Sequence, residues 1–264
     1  LEVTVYGPRA ELHSGHYGNW APNPALSLAK LLASMKDDDG RVLVEHFYDE
    51  VEPLGETERQ ALADAPDIDD VLEREFWLGG TEGGSRKLVE LITEPSLNIH
   101  GLASARVGAS QSNVIPATAT AALDIRLVKG MDPRTAQDRV IEHIRKQGFF
   151  VVDGAEPDAA VRLAHPKVAR VERGPAGFGA VRTSMDLPIA REVVGIVASV
   201  LGPPVKLPNM GGSLPLGEIQ HVLGAPTIVI PIANHDDNQH SFDENLRIKN
   251  LWDGIELMAA LLAM

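Results

Sequence analysis

The 264-residue chain has no cysteine, which excludes disulfides, thiolate nucleophiles and cysteine-held zinc or iron–sulfur centres. Any metal must be held by His, Asp or Glu. Positive charge is scarce: 24 Lys and Arg stand against 37 Asp and Glu, a formal net charge of -13. That balance argues against broad attraction to nucleic acid or an anionic membrane, though a local basic patch remains open. Long hydrophobic runs are lacking too, since the apolar stretches at 228–232 and 258–264 are too short to span a bilayer. No basic lead and apolar core follow Leu1, so no signal peptide is expected and the chain reads as soluble and cytoplasmic. It opens without Met, which raises the expectation of a fragment of something longer. Aromatics are 5% of residues, but hydrophobic residues are 44%, enough for one substantial core or two modest domains.

Residues 1–6 alternate like a strand and stop at Gly7-Pro8. Asn23-Pro24 predicts a helix start, with Ala25, Leu28, Ala29, Leu31 and Leu32 as its apolar face, ending before 36–40. A short strand is expected at 41–44. From about 45 to 95 the character becomes acidic and glycine-rich, with helical pieces near 57–64 and 69–77, and reads as an insertion. Alternation returns at 96–107 and 117–128, followed by a helix over 134–146 behind Asp132-Pro133 and a closing strand at 161–163. This order fits an α+β sandwich with helices on one face of an antiparallel sheet. Beyond 175 the expected elements are a helix at 188–201, a strand at 205–207, a helix at 213–223, a buried strand at 227–232 and a helix at 245–262. That rhythm suggests part of an α/β layer with a parallel sheet.

The densest polar cluster is Asn234 to Ser241, placed after the expected buried strand, where open α/β sheets often hold ligands. His240 could ligate zinc, with His235 or Asp236 as a second ligand or orienting group; the alternative is a hydrated acidic loop. Met210 to Pro215 offers a glycine turn before a helix, able to meet an anionic ligand through Gly211, Gly212 and Ser213, or simply to cap that helix. No phosphate-loop Lys accompanies it. His13, in a glycine-rich loop, is a candidate proton donor or oxyanion stabiliser, or like His16 a plain surface residue. Arg126 could clamp a carboxylate or pair with Asp124 or the acidic insertion. His46 reads as structural and His100 is ambiguous, while Glu73 and Glu75 sit on an exposed acidic helix. No serine lies in a nucleophile elbow.

His13-Ser14-Gly15 through Asn23-Pro24, Gly40-Arg41-Val42, Phe47-Tyr48-Asp49, Pro95 to Ile99, Asn113 to Pro116, Asp124-Ile125-Arg126, Gly211 to Pro215 and His240-Ser241 run in one order along nearly the whole chain. In that order they resemble the zinc-dependent family of carnosinase-like dipeptidases, aminoacylases and glutamate carboxypeptidases. The resemblance implies an α+β ferredoxin-like lid domain over 1–170, which dimerises and carries the insertion at about 45–95. A partial α/β catalytic domain would follow over 171–264. It implies that His240 is a zinc ligand and that His13 reaches the neighbouring subunit's active site to polarise the scissile carbonyl. Asn113 and Arg126 would bind substrate backbone or carboxylate, and Gly211, Gly212 and Ser213 would line the pocket. The implied reaction is hydrolysis of a peptide bond in dipeptides or short peptides, by water activated between two zinc ions with a carboxylate base. Other divalent metals are alternatives to zinc.

Two departures stand out: Asn209-Met210 replaces the family's usual Arg-Glu before the glycine pair, and the family's amino-terminal metal-binding segment has no counterpart. The chain alone is therefore expected to be inactive, unless that segment joins it as a partner beside the homodimer mate. The competing expectation is a non-catalytic dimerisation or peptide-binding module.

Overall fold

The computed structural model describes residues 1–264 apart from Ala176, Phe178 and Ser213. The chain forms two compact units. One comprises Leu1–Glu52, Leu72–Arg86 and Glu94–Ala180; the other comprises Pro53–Val71, Lys87–Thr93 and Val181–Met264.

The first unit begins with β1 (Glu2–Tyr6), β2 (Leu12–His13), a short α1 (Ser14–Tyr17) and α2 (Pro24–Ala33). Asn23 starts α2 because its Oδ1 accepts from the Ala25 and Leu26 amides at 2.9 and 3.3 Å, while Pro24 needs no partner for its nitrogen. Later come β3 (Ser96–Ser104), β4 (Val114–Ile115), β5 (Thr118–Arg126), α6 (Pro133–Lys146), β6 (Phe150–Asp153), α7 (Ala159–Ala164) and β7 (Val168–Glu172). Five strands form one sheet in the order β3-β5-β1-β7-β6, antiparallel except for β6 against β7. Val3, Val5, Ala119, Ala121, Leu123, Ala169 and Val171 share one core with Leu28, Leu31 and Leu32 of α2 and Val140, Ile141 and Ile144 of α6. The period-two pattern of the strands meets the three-and-four spacing of the helices there. On β1 and β5 the alternate positions hold a cross-strand pair, Thr4 and Thr120, whose hydroxyls lie 2.9 Å apart. His100 is the extra residue of a β-bulge, where the register shifts between Ile99 and Gly101.

The second unit holds α3 (Glu56–Asp64), α5 (Leu88–Leu91), α8 (Pro188–Leu201), α9 (Leu216–Leu223) and α10 (Ile248–Leu262); α4 (Asp69–Glu75) overlaps its edge in sequence. Among its described residues there is no strand.

Four expected strands are therefore corrected. Residues 41–44 supply only an isolated bridge, Lys36 to Val42. Residues 161–163 are helical, because the Asp158 carboxylate accepts from the Val161 amide at 2.9 Å and caps α7; the closing strand is β7. Residues 205–207 and 227–232 are not strands, and the latter are exposed or half-buried rather than buried. A strand exists only through paired neighbours, and none faces these segments among the described residues. Two carbonyls of the second segment instead accept from side chains: Thr227 O from the Thr183 hydroxyl at 2.6 Å and Ile232 O from Asn250 Nδ2 at 3.0 Å.

Candidate functional site

His13 ends β2, which pairs antiparallel with β4 so that His13 faces Val114. The Ser14 amide donates to the Asn113 carbonyl at 2.9 Å, which sets Asn113 beside the histidine. Arg106 braces this ribbon with a two-point contact to the Glu11 carboxylate at 2.8 and 3.1 Å and a bond from Nη2 to the Ser112 hydroxyl at 2.8 Å. Sequence reading missed all three residues. Arg106 carries no motif, and its partner Glu11 lies on the far side of the insertion. His13 itself is exposed, its Nδ1 accepts from the Gly15 amide at 3.0 Å, and its ring centroid lies 4.6 Å from that of His16. Tyr17 and Trp20 continue this aromatic run with ring centroids 6.0 Å apart.

Arg126 closes β5 at the end opposite Thr118, and its Nε donates to Asp124 Oδ2 at 2.7 Å. The structure thus brings His13 and Asn113 together and holds Arg126 away at the other end of the sheet. A separate cavity of about 350 Å³ in the same unit is lined by Tyr6, Gly7, Pro22, Arg162, His165 and Val168 among others, and includes none of the expected site residues. Tyr6 above it is pushed up to about 12 by burial and by its bond to Glu156.

In the second unit the polar loop is built around buried Asn234. Its Oδ1 accepts from the Arg247 amide at 2.9 Å and its Nδ2 donates to Asp236 Oδ1 at 2.8 Å. That bond and the Arg247 guanidinium at 2.6 Å hold the Asp236 carboxyl below its usual range. Asp236 is thereby committed, and His235 Nδ1 stands 4.0 Å from it. His240 is exposed with φ 67°, and its amide donates to Glu244 Oε2 at 3.4 Å. Gly211 and Gly212 form an exposed bend with open space about each Cα, while Ser213 lies outside the described residues. Among the described residues no three His, Asp or Glu side chains gather closely enough to hold a metal. His240 offers one donor without the companions that a zinc centre needs, so these residues do not by themselves fit a metal site.

The peptidase dimerisation domain of the M20 type matches residues 1–149. The chain belongs to the M20 peptidase family. Over 269 residues it is 27% identical to the Cys-Gly metallodipeptidase DUG1 of Candida albicans, covering 99% of this chain and 52% of that protein. It is 27% identical over 260 residues to the Beta-Ala-His dipeptidase of Homo sapiens, covering 95% and 47%. Among solved structures, the M20 family metallo-carboxypeptidase Sso-CP2 from Sulfolobus solfataricus superposes with a TM-score of 0.77 at 25% identity, covering 99% of this chain and 57% of that one. The chain spans about half the length of the curated relatives it matches. Among the described residues, no helix is long and apolar enough to cross a membrane.

Proposed function

We propose that the whole protein is a cytoplasmic, zinc-dependent dipeptidase, acting as a homodimer on dipeptides or short peptides. The observation that carries this reading is the peptidase dimerisation match over residues 1–149. The names of the relatives, Cys-Gly and Beta-Ala-His dipeptidases, support dipeptides as the substrate class. The first unit is a ferredoxin-like lid in this reading. The succession β1-α2-β3-β5-α6-β7, the neighbour order β3-β5-β1-β7 and helices that share one core favour it. The dimer contact belongs on the nine-residue edge strand β3, where Ile99 is 51% and Leu102 64% exposed.

Metal would come to the active site with ligands beyond those gathered here, His240 contributing one. This chain's own part in the reaction is to bind and orient. His13 donates a hydrogen bond to the scissile carbonyl oxygen, Arg126 receives the substrate carboxylate, Asn113 contacts the substrate backbone, and the Gly211-Gly212 bend contacts the substrate. The alternative is a dimerisation or peptide-binding module without catalysis, which the dimerisation match over residues 1–149 also fits.

The test is hydrolysis of Cys-Gly and β-Ala-His by the whole protein, stripped with chelator and then reloaded with zinc. Activity that disappears and returns with the metal is expected. Failure to cleave any dipeptide with zinc bound would leave the binding module.

A further inference from the structure

One ring nitrogen of the His13 imidazole is engaged by the backbone. Its Nδ1 accepts the Gly15 N–H at 3.0 Å, and a ring nitrogen that accepts carries a lone pair, so the proton of the neutral ring sits on Nε2. A flipped ring would set a carbon against that amide. The backbone beneath is fixed as well, by the β2–β4 pairing and the bond from the Ser14 amide to Asn113. The His16 ring packs alongside, tilted by 32°.

Gly15 has a second feature of the same kind. A Cβ built on it would stand 2.8 Å from His13 Cε1 and 3.1 Å from Nδ1. Its φ is not in the left-handed region, so the backbone does not demand glycine there. The space above its Cα is used by the imidazole.

We propose that Gly15 is a positioning residue, which through its bare Cα and its amide presents His13 as a neutral Nε2–H donor to the substrate carbonyl. The proposal rests on the dipeptidase reading for its substrate but not for the tautomer. In this state His13 can stabilise a developing oxyanion and cannot take a proton at Nε2, so it is a hydrogen-bond donor and not the general base.

Two measurements test it. In 15N-histidine-labelled protein, long-range proton–nitrogen correlation should show His13, assigned with the His13→Gln variant, protonated on Nε2 and bare on Nδ1. Gly15→Ala, an exposed substitution that circular dichroism should show folded, should mix the tautomers. A parent protein in which His13 carries its proton on Nδ1, or exchanges between both nitrogens, overturns the proposal. In the whole enzyme, Gly15→Ala should lower kcat by about 10- to 100-fold with KM nearly unchanged, the signature of a lost transition-state interaction. His13→Gln, which keeps an amide N–H near the Nε2 position, should retain more activity than His13→Asn. An unchanged kcat in a Gly15→Ala protein whose tautomer is mixed removes the catalytic role. If the whole protein cleaves no peptide, the dipeptidase reading fails while the correlation spectrum still decides the tautomer.

Discussion

At the scale of single residues, His143 carries a pH dependence that its place in the core determines. Its Nε2 lies 2.9 Å from the Ser34 hydroxyl, whose own proton goes to the Leu31 carbonyl at 2.7 Å, so Nε2 is the donor of that contact. Burial, aided by the Lys146 ammonium, lowers its affinity for a proton below that of an exposed histidine. The unfolded chain therefore binds the proton first as pH falls below about 6.5, and the stability tied to the neutral ring is present above that pH and lost beneath it. Thermal unfolding from pH 8 to 5 should show a steeper acid loss for the parent than for His143→Gln; parallel curves would remove His143 as the cause. Gly254 inverts an ordinary rule in the same way. Alanine for glycine inside a helix usually gains about 1 kcal/mol, but here the new methyl would stand 2.6 Å from Ile232 Cγ2. Overpacking of about 1–3 kcal/mol should win, and Gly254→Ala should destabilise. Combining it with Ile232→Ala should cost less than the two separate losses added, whereas simple additivity in a denaturation cycle would show that the two do not touch.

Among elements, α3 is fastened by one acidic side chain with two duties. Glu58 Oε2 accepts from the Gly55 amide at 2.6 Å and closes the helix start, while Oε1 lies 3.7 Å from Arg182 Nε; both side chains are buried. Arg182 also donates to the Pro53 carbonyl at 2.8 Å. Glu58→Ala takes away the cap of α3 and one ionic partner of Arg182 together, a loss of about 1–3 kcal/mol, and Glu58→Gln, which keeps an acceptor for the Gly55 amide, should recover part of it. Urea denaturation measures both; a loss under about 0.5 kcal/mol for Glu58→Ala would show the pair to be solvated. Which elements could be read beforehand follows from where their causes lie. Asn23-Pro24, Asp132-Pro133 and Pro188 announce α2, α6 and α8 locally, and those helices form where expected. Asp158 announces α7 equally well, yet the apolar run behind it passes for a strand until the cap is seen. Val168–Glu172 is a strand because β1, at the other end of the unit's sequence, pairs with it, and no local signal encodes that partner. The site divides along the same line: His13 stands out by residue type and glycine context. Its place beside Asn113 depends on a two-residue ribbon and the Arg106 brace, which exist only once the chain has folded.

For the whole molecule, the length of β5 sets the constraint. Nine residues at a strand rise of about 3.3 Å put Arg126 roughly 26 Å from Thr118, the end from which the chain leads back to Asn113 and His13. A dipeptide is far shorter than that. If His13 and Arg126 serve one substrate, as proposed, they should come from two copies of the chain, which makes the dimer part of the active site. Variants His13→Ala and Arg126→Ala should each be nearly inactive alone. When they are mixed, dissociated and reassociated, a heterodimer would own one site with both residues intact, so about a quarter of all sites should regain activity for a random twofold-symmetric mixture. A Leu102→Lys change on the exposed β3 edge should weaken the dimer in sedimentation velocity and remove this recovery, because like charges would meet across the strand pair. Recovery that survives in monomers, or two dead variants that never complement, would place His13 and Arg126 in separate roles within one subunit.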